Sequence, residues 1–177
     1  MKILTFAGSN SKNSINKKLA IYASSLFMNA QVEVLDLNDY DLPVFGVDLE
    51  KEIGKPELSQ KFLDKISQSD FIILSLAEHN GNFSVAFKNI FDWASRGGVK
   101  VFQQKPMLLM ATSNGARGGK SVLEIAANRF PFDGAEIKAT FSLPKFSENF
   151  DVENNKIVNE ELDGELKAIV EKIHSEL

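Results

Sequence analysis

Residues Ile3 to Ala20 read ILTFAGSNSKNSINKKLA. The apolar run Ile3, Leu4, Phe6 and Ala7 predicts a buried strand that ends at Gly8. A small polar segment, Ser9 to Asn13, follows, and a helix opens at Ser14. From there Ile15, Leu19, Tyr22, Ala23, Leu26 and Phe27 recur at helical spacing, so this helix has one apolar face. A strand, a tight hydroxyl-rich loop and a helix N-terminus together make an anion cradle. Free backbone N–H groups and the positive end of the helix dipole converge on one spot, and serine hydroxyls add donors. Ser14 also has the chemistry of a plain N-cap, which asks for no ligand.

Outward from this stretch, Val32, Val34 and Leu35 predict a second short strand ending at Asp36. Leu37 to Pro56 shows no period and holds Pro43, Gly46, Gly54 and Pro56, so it reads as a long connection of the kind that is functional or mobile. Leu58, Phe62, Leu63 and Ile66 mark a second amphipathic helix, and Phe71 to Leu74 a third strand, apolar on both faces. A polar loop, Glu78 to Asn82, comes next. Phe83, Ala86, Phe87, Ile90, Phe91 and Ala94 predict a third helix that stops at Gly97-Gly98. Pro106 introduces a fourth strand, Met107 to Ala111, and the glycine-rich loop Thr112 to Gly119 follows it. Val122, Leu123, Ile125, Ala126 and Phe130 give a fourth helix, and Glu136 to Leu143 a fifth strand. Phe150 to Asn159 reads as a polar connection before a C-terminal helix carrying Leu162, Leu166, Ile169, Val170 and Ile173.

Strands that alternate with helices, the strongest apolar on both faces, predict an α/β fold. Right-handed crossovers leave few arrangements, and a flavodoxin-like three-layer sandwich with a five-stranded parallel sheet in the order 2-1-3-4-5 suits this pattern. The expectation is one domain over residues 1–177. In that order the chain reverses direction between strands 1 and 3, and a ligand belongs in the crevice at their carboxyl ends. The loops that begin at Gly8, Ala77 and Thr112 all emerge along that edge.

Composition narrows the function classes. The chain has 177 residues, 44% hydrophobic, and a net charge of -4, which argues against a broad nucleic-acid or anionic-membrane surface. No apolar run approaches the ~20 residues of a membrane span. No basic and apolar leader precedes the first strand, and the expected location is cytoplasmic. The absence of cysteine excludes thiolate nucleophiles, disulfides and Cys-based metal sites. Gly118-Gly119-Lys120-Ser121 resembles the end of a P-loop, but residue 114, where the motif needs its first glycine, is Asn114. The patterns GxGxxG and GxSxG are both missing. Asp36, without a glycine fingerprint, reads as a strand-end turn residue. Of the two histidines, His174 sits near the end of the last helix and suits its dipole. His79 lies in a crevice loop and is the one imidazole available for chemistry, although a lone loop histidine is commonly a packing or hydrogen-bonding residue. No metal-ligand spacing accompanies it, and no metal site is expected.

What remains is an anion cradle beside two flat loops. Gly115, Gly118 and Gly119 would let main chain approach a planar ligand closely. A phosphate-tailed planar heterocycle fits that combination, and FMN is the obvious candidate.

The residues also resemble a known family, the NAD(P)H-dependent FMN reductases, a flavodoxin-like group that includes quinone, chromate and azo reductases. Gly8-Ser9, Ser14-Ile15-Asn16 and Leu19-Ala20 resemble its phosphate loop. Glu78-His79-Asn80-Gly81 followed by Phe87-Lys88-Asn89 and Asp92-Trp93 resembles its PEYNG…LKNAIDW signature. Ser113-Asn114-Gly115 with Gly118-Gly119 resembles the loop beside the flavin ring, and Asp41-Leu42-Pro43 its segment after strand 2. The resemblance implies phosphate-side contacts from Ser9, Ser11, Ser14, Ile15 and Asn16. It implies ring-side contacts from Glu78, His79, Asn80 and Gly81, and from Ser113, Asn114, Gly115 and Gly118. It further implies NADPH or NADH as electron donor, a small-molecule acceptor, and a homodimer or homotetramer. The chemistry is then carried by FMN rather than by a catalytic side chain. Three positions depart from the family: Ser11 stands where an arginine is usual, Ala77 where proline is, and His79 where tyrosine is. Two other readings share the fold, a flavodoxin-type electron carrier and a flavin-free binding module. The mild net charge and the Ser/Asn-based loop with Lys12, Lys17 and Lys18 beside it weigh against the carrier.

Within the helix after the signature, Lys88 and Asp92 are spaced to pair across one turn. Trp93 reads as a core residue, and Asn89 as a brace for buried backbone of the crevice loop.

Overall fold

The computed structural model describes residues 1–177. Its elements in chain order are β1 (Lys2–Gly8), α1 (Ile15–Ser25), β2 (Gln31–Leu35), a 3-10 turn (Leu37–Asp39), α2 (Val47–Ile53), α3 (Glu57–Ser67) and β3 (Phe71–Leu76). Then come β4 (Glu78–His79), β5 (Asn82–Phe83), α4 (Val85–Ser95), β6 (Lys105–Thr112), α5 (Lys120–Arg129), a second 3-10 turn (Phe130–Asp133) and β7 (Ala135–Leu143). The chain closes with α6 (Phe146–Asn149), β8 (Phe150–Asp151), β9 (Lys156–Ile157) and α7 (Glu160–Glu176).

A parallel five-stranded sheet runs in the order β2-β1-β3-β6-β7. Numbered among themselves, its strands follow 2-1-3-4-5, as the alternation of strands and helices predicts. The pleat sends successive side chains to opposite faces. Leu4 and Phe6 pack under α3, α4 and α5 with Phe62, Phe87 and Val122, whereas Ile3 packs under α1 and α7 with Leu19, Leu166 and Val170. The first of these layers is built largely of phenylalanine. Phe130 touches Phe83, Phe87, Phe91 and Phe102 at ring-centroid distances of 5.8, 5.8, 5.6 and 4.7 Å. No helix is long and apolar enough to cross a membrane.

Four segments differ from the sequence expectation. Leu37 to Pro56 is not a structureless connection: it holds a 3-10 turn and α2, whose residues are all at least partly exposed and so leave no apolar stripe. Phe83 lies in β5 rather than in α4; Ser84 caps that helix by accepting from Phe87 N–H at 3.2 Å. Phe130 leaves α5 and opens the following 3-10 turn, with Pro131 as its second residue. The connection after β7 carries α6 and the hairpin β8–β9, anchored by buried Phe146, Phe150 and Ile157.

β1 ends at Gly8, where a side chain would press on β3 and α4. A Cβ on Gly8 would lie 2.7 Å from Leu76 Cδ2 and 3.3 Å from Phe87 Cγ. The chain therefore passes close over β3 and α4 before it turns into the Ser9 loop.

Candidate functional site

The cradle is assembled by short-range hydrogen bonds. Ser9 Oγ accepts from Ser11 N–H at 3.2 Å, and Ser11 carbonyl accepts from Ser14 N–H at 3.1 Å. Ser14 Oγ accepts from Lys17 N–H at 3.1 Å and so caps α1. Capping consumes one lone pair of this hydroxyl and leaves its proton available to a ligand. The backbone N–H groups of Ile15 and Asn16, in the first turn of α1, have no partner within the protein. They are the orphan donors that every helix start leaves. Lys17 is turned away to Asp36, 2.5 Å from its carboxylate, so it adds no free charge to the cradle; Ser11 and Lys12 are exposed. Asp36 is a turn residue, as expected, and caps the 3-10 turn through Asn38 N–H at 2.9 Å.

The side-chain amide of Asn16 is engaged within the protein. Its side chain is buried and bonds Ser75 Oγ and both backbone groups of Thr112. Only its backbone N–H faces the question of an anion.

The polar loop after β3 is a β-hairpin. Glu78 pairs with Phe83 and His79 with Asn82, joined by Asn80 and Gly81 with φ of 52° and 74°. Two positive φ values are what a two-residue I′ turn requires, and Asn-Gly is its preferred sequence. That dipeptide between the flanking pairs was the readable signal for the hairpin. Three contacts fix it in place. Ser84 Oγ donates to Gly8 carbonyl at 2.7 Å, Phe83 stacks on Phe130 with an interplanar angle of 8°, and Glu78 Oε2 accepts from Val122 N–H at 3.0 Å. The last contact caps α5, whose own N-cap, Gly119, has no side chain to offer.

The third loop is zipped to the segment after β7. Ser113 carbonyl accepts from Phe146 N–H at 3.1 Å, Asn114 Oδ1 from Ser147 N–H at 3.2 Å, and Gly115 carbonyl from Lys145 N–H at 3.0 Å. Gly118, at φ 58°, closes the loop: a Cβ there would lie 2.5 Å from Ser142 Oγ and 2.7 Å from Pro144 N. The close approach it permits is to Ser142 in β7 and to Pro144 just after it.

These elements enclose an open cleft of about 270 Å³ at the carboxyl ends of β1, β3 and β6. The expected residues Ser9, Ser11, Ser14, Ile15, Asn16, Glu78, His79, Ser113 and Asn114 all line it, joined by Asn13, Ala77 and Thr112. Asn80 and Gly81 form the hairpin tip outside that lining, Gly115 is exposed on its loop, and Gly118 is buried under it. The additional lining residues are backbone-proximal and small, with no chemical signal in their type.

Beside the cleft, Asn89 braces the chain after the first 3-10 turn, not the crevice loop. Its Nδ2 donates to Leu42 and Pro43 carbonyls, both at 3.1 Å, and its Oδ1 accepts from Phe45 N–H at 2.8 Å. Trp93 is fully buried and Lys88 pairs with Asp92 at 2.6 Å, both as the sequence suggests.

A parallel α/β sheet with helices on both faces and an open cleft at the carboxyl ends of β1, β3 and β6 defines a flavodoxin-like protein. Residues 1–148 match the family model of NADPH-dependent FMN reductases, and the chain belongs to that family of oxidoreductases. It is 30% identical over 177 aligned positions to an NADPH:quinone oxidoreductase of Arabidopsis thaliana, covering 96% of this chain and 88% of that protein. It is 28% identical to a quinone reductase of Escherichia coli K12 over 67% of this chain and 63% of that one. Among solved structures it superposes on the flavoenzyme NAD(P)H:(acceptor) oxidoreductase FerB of Paracoccus denitrificans with a TM-score of 0.77, at 24% identity, covering 98% of this chain and 95% of that one.

Proposed function

We propose that this protein binds FMN and passes reducing equivalents from NADH or NADPH to a small acceptor such as a quinone, a free flavin, an azo compound or a metal oxyanion. The observation that carries this reading is the open start of α1. Unpaired N–H groups of Ile15 and Asn16 stand beside the Ser9 and Ser14 hydroxyls at the floor of a cleft. A phosphate suits such a place, because donors and the helix dipole both favour an anion there. In this reading the Ser9–Asn16 loop holds the phosphate, and Ala77 to His79 with Ser113 and Asn114 flank the ring. Bound FMN would supply a two-electron relay between donor and acceptor, and the protein contributes binding, orientation and access. Family membership and the likeness to quinone reductases support the acceptor class.

The experiment is a calorimetric titration with FMN and with riboflavin, on the wild type and on Ser14→Ala. FMN should bind more tightly than riboflavin, and Ser14→Ala should weaken FMN alone, by about 1–2 kcal/mol, the scale of a hydrogen bond to a charged group. Equal affinities for the two ligands would sink the phosphate assignment. A protein that retains neither ligand is the flavin-free binding module.

The expected working form is a cytoplasmic homodimer or homotetramer. Val44 is 75% and Val47 59% exposed on the segment that packs along α4, while their neighbours Leu42 and Phe45 turn inward. A second copy would cover that apolar pair, and a monomeric mass by light scattering at micromolar concentration counts against it.

A further inference from the structure

Two adjacent titratable residues in β4 meet opposite fates. The Glu78 carboxylate is drawn to the first turn of α5, bonded to Val122 N–H at 3.0 Å. His79 lines the cleft, exposed, and its imidazole enters neither a hydrogen bond nor an ion pair. The remaining lining residues are serines, asparagines, a threonine, Ile15 and Ala77, none of which changes charge near neutral pH. The charged groups on the surrounding elements are occupied or outside the lining. On the cradle loop and α1 they are exposed Lys12, Lys17 bonded to Asp36, and Lys18. On the third loop and α5 they are Arg117, 3.4 Å from Ser121 Oγ, Lys120 and Glu124, both outside the lining, and Arg129, paired with Asp133. On α4 and α6 they are Lys88 paired with Asp92, and Lys145 paired with Glu148. His79 is thus the imidazole of the cleft lining, and no partner in the protein engages it. It is also rigidly mounted, because the hairpin that carries it is pinned at Gly8, Phe130 and Val122.

We infer that His79 is a catalytic proton donor to the acceptor, and that the acceptors it serves are quinones and similar compounds whose reduction consumes a proton. The inference rests on the flavin reading above. Reduction of a quinone to a hydroquinone takes two electrons and two protons. Bound FMN would supply two electrons and one proton, drawn from the nicotinamide donor, which would leave one quinone oxygen anionic. The second proton comes from the imidazolium: its N–H bond breaks as the acceptor O–H bond forms, and water recharges the neutral imidazole. Since the protonated form is the active one, quinone turnover falls as pH rises.

The test compares benzoquinone with ferricyanide, a one-electron acceptor that takes up no proton, in FMN-loaded wild type, His79→Phe and His79→Tyr. The ratio of quinone to ferricyanide turnover should fall about 100-fold in His79→Phe, the lower end of what a positioned general acid contributes. His79→Tyr should restore the ratio and move the alkaline fall upward, because a phenol titrates near pH 10. NMR supplies a readout independent of turnover. The protein has two histidines, so the His79 imidazole resonances are those missing from His79→Phe. Added FMN should shift the His79 resonances and spare those of His174, which packs on Phe27. An unchanged ratio and pH profile in FMN-loaded His79→Phe overturns the proton donor and leaves the flavin reading standing. Failure of the wild type to retain FMN, with silent imidazole resonances, overturns both.

Discussion

The side-chain amide of Asn16 and the backbone of Thr112 hold each other by two hydrogen bonds. Nδ2–H donates to the Thr112 carbonyl at 3.1 Å, and Oδ1 accepts from Thr112 N–H at 2.9 Å. The amide acts as one more peptide at the end of β6, after β3 has run out at Leu76. The same Oδ1 accepts from Ser75 Oγ at 2.7 Å, so one buried side chain ties α1 to β3 and β6. Asn16→Ala should cost about 2–4 kcal/mol, because several buried groups lose their partners together. Asn16→Asp should cost a comparable amount at neutral pH, since a carboxylate has no proton for the Thr112 carbonyl. Urea unfolding measures both; a loss below about 1 kcal/mol in Asn16→Ala would mean that water replaces the amide.

Ser11 is exposed at the rim of the cradle, where the resembling family carries arginine. A guanidinium there adds a charge-assisted contact to a phosphate. Ser11→Arg should tighten FMN by about 1–2 kcal/mol, lose part of that gain in high salt, and leave riboflavin unaffected. No gain means that Lys12 already fills the role or that the phosphate lies elsewhere. Lys12→Ala decides between them, since only the first explanation makes it weaken FMN.

Glu78→Ala removes the cap of α5 and one pin of the hairpin. Stability should drop by about 1–2 kcal/mol, and FMN and riboflavin should lose affinity equally, because the ring side rather than the phosphate side is loosened. Glu78→Gln keeps a carbonyl acceptor for Val122 N–H and should recover most of the stability. Thermal melts and paired ligand titrations read both effects, and a loss confined to FMN would contradict the pin.

The Asp36 carboxyl is held below its ordinary range. Burial alone raises it, but hydrogen bonds from Lys17 and from the backbone and side chain of Asn38, with the Lys17 charge, outweigh that. A depressed folded value means that this stabilisation is complete above the unfolded pKa of about 3.9 and fades as pH falls through the folded one. Asp36→Asn should therefore cost about 0.5–1 kcal/mol at pH 7 and progressively less in acid. Denaturant curves at a series of pH values check it; a difference that widens on acidification has the wrong sign.

The sheet was legible because β1, β3 and β6 are apolar on both faces, a pattern with few alternatives once helices alternate with it. The cradle was legible too, since a serine at a strand-to-helix junction has local chemistry. What escaped was set by distant partners. Asn16 looks like a ligand residue in the sequence, and only the end of β6 shows what its amide is for. Gly118 looks like a flat surface for a ring, yet the atoms it makes room for belong to Ser142 and Pro144. Glu78 caps a helix 44 residues away, a pairing that no local spacing encodes. The helix α2 carries no apolar period because it is not packed into the core.

Trp93 is the protein's only tryptophan, and its surroundings give it an optical use. The indole is 0% exposed, its N–H donates to Pro43 carbonyl at 2.7 Å, and Phe45 meets it edge-on at 5.0 Å. The wavelength of its emission therefore responds to whether the Leu42 to Phe45 segment is seated on α4. Seated, the indole is dry and emits toward the blue; when the segment lifts, water reaches the ring and the spectrum moves red. That single native fluorophore allows the seating of the segment to be followed on addition of cofactor, nicotinamide or a second copy, without a label.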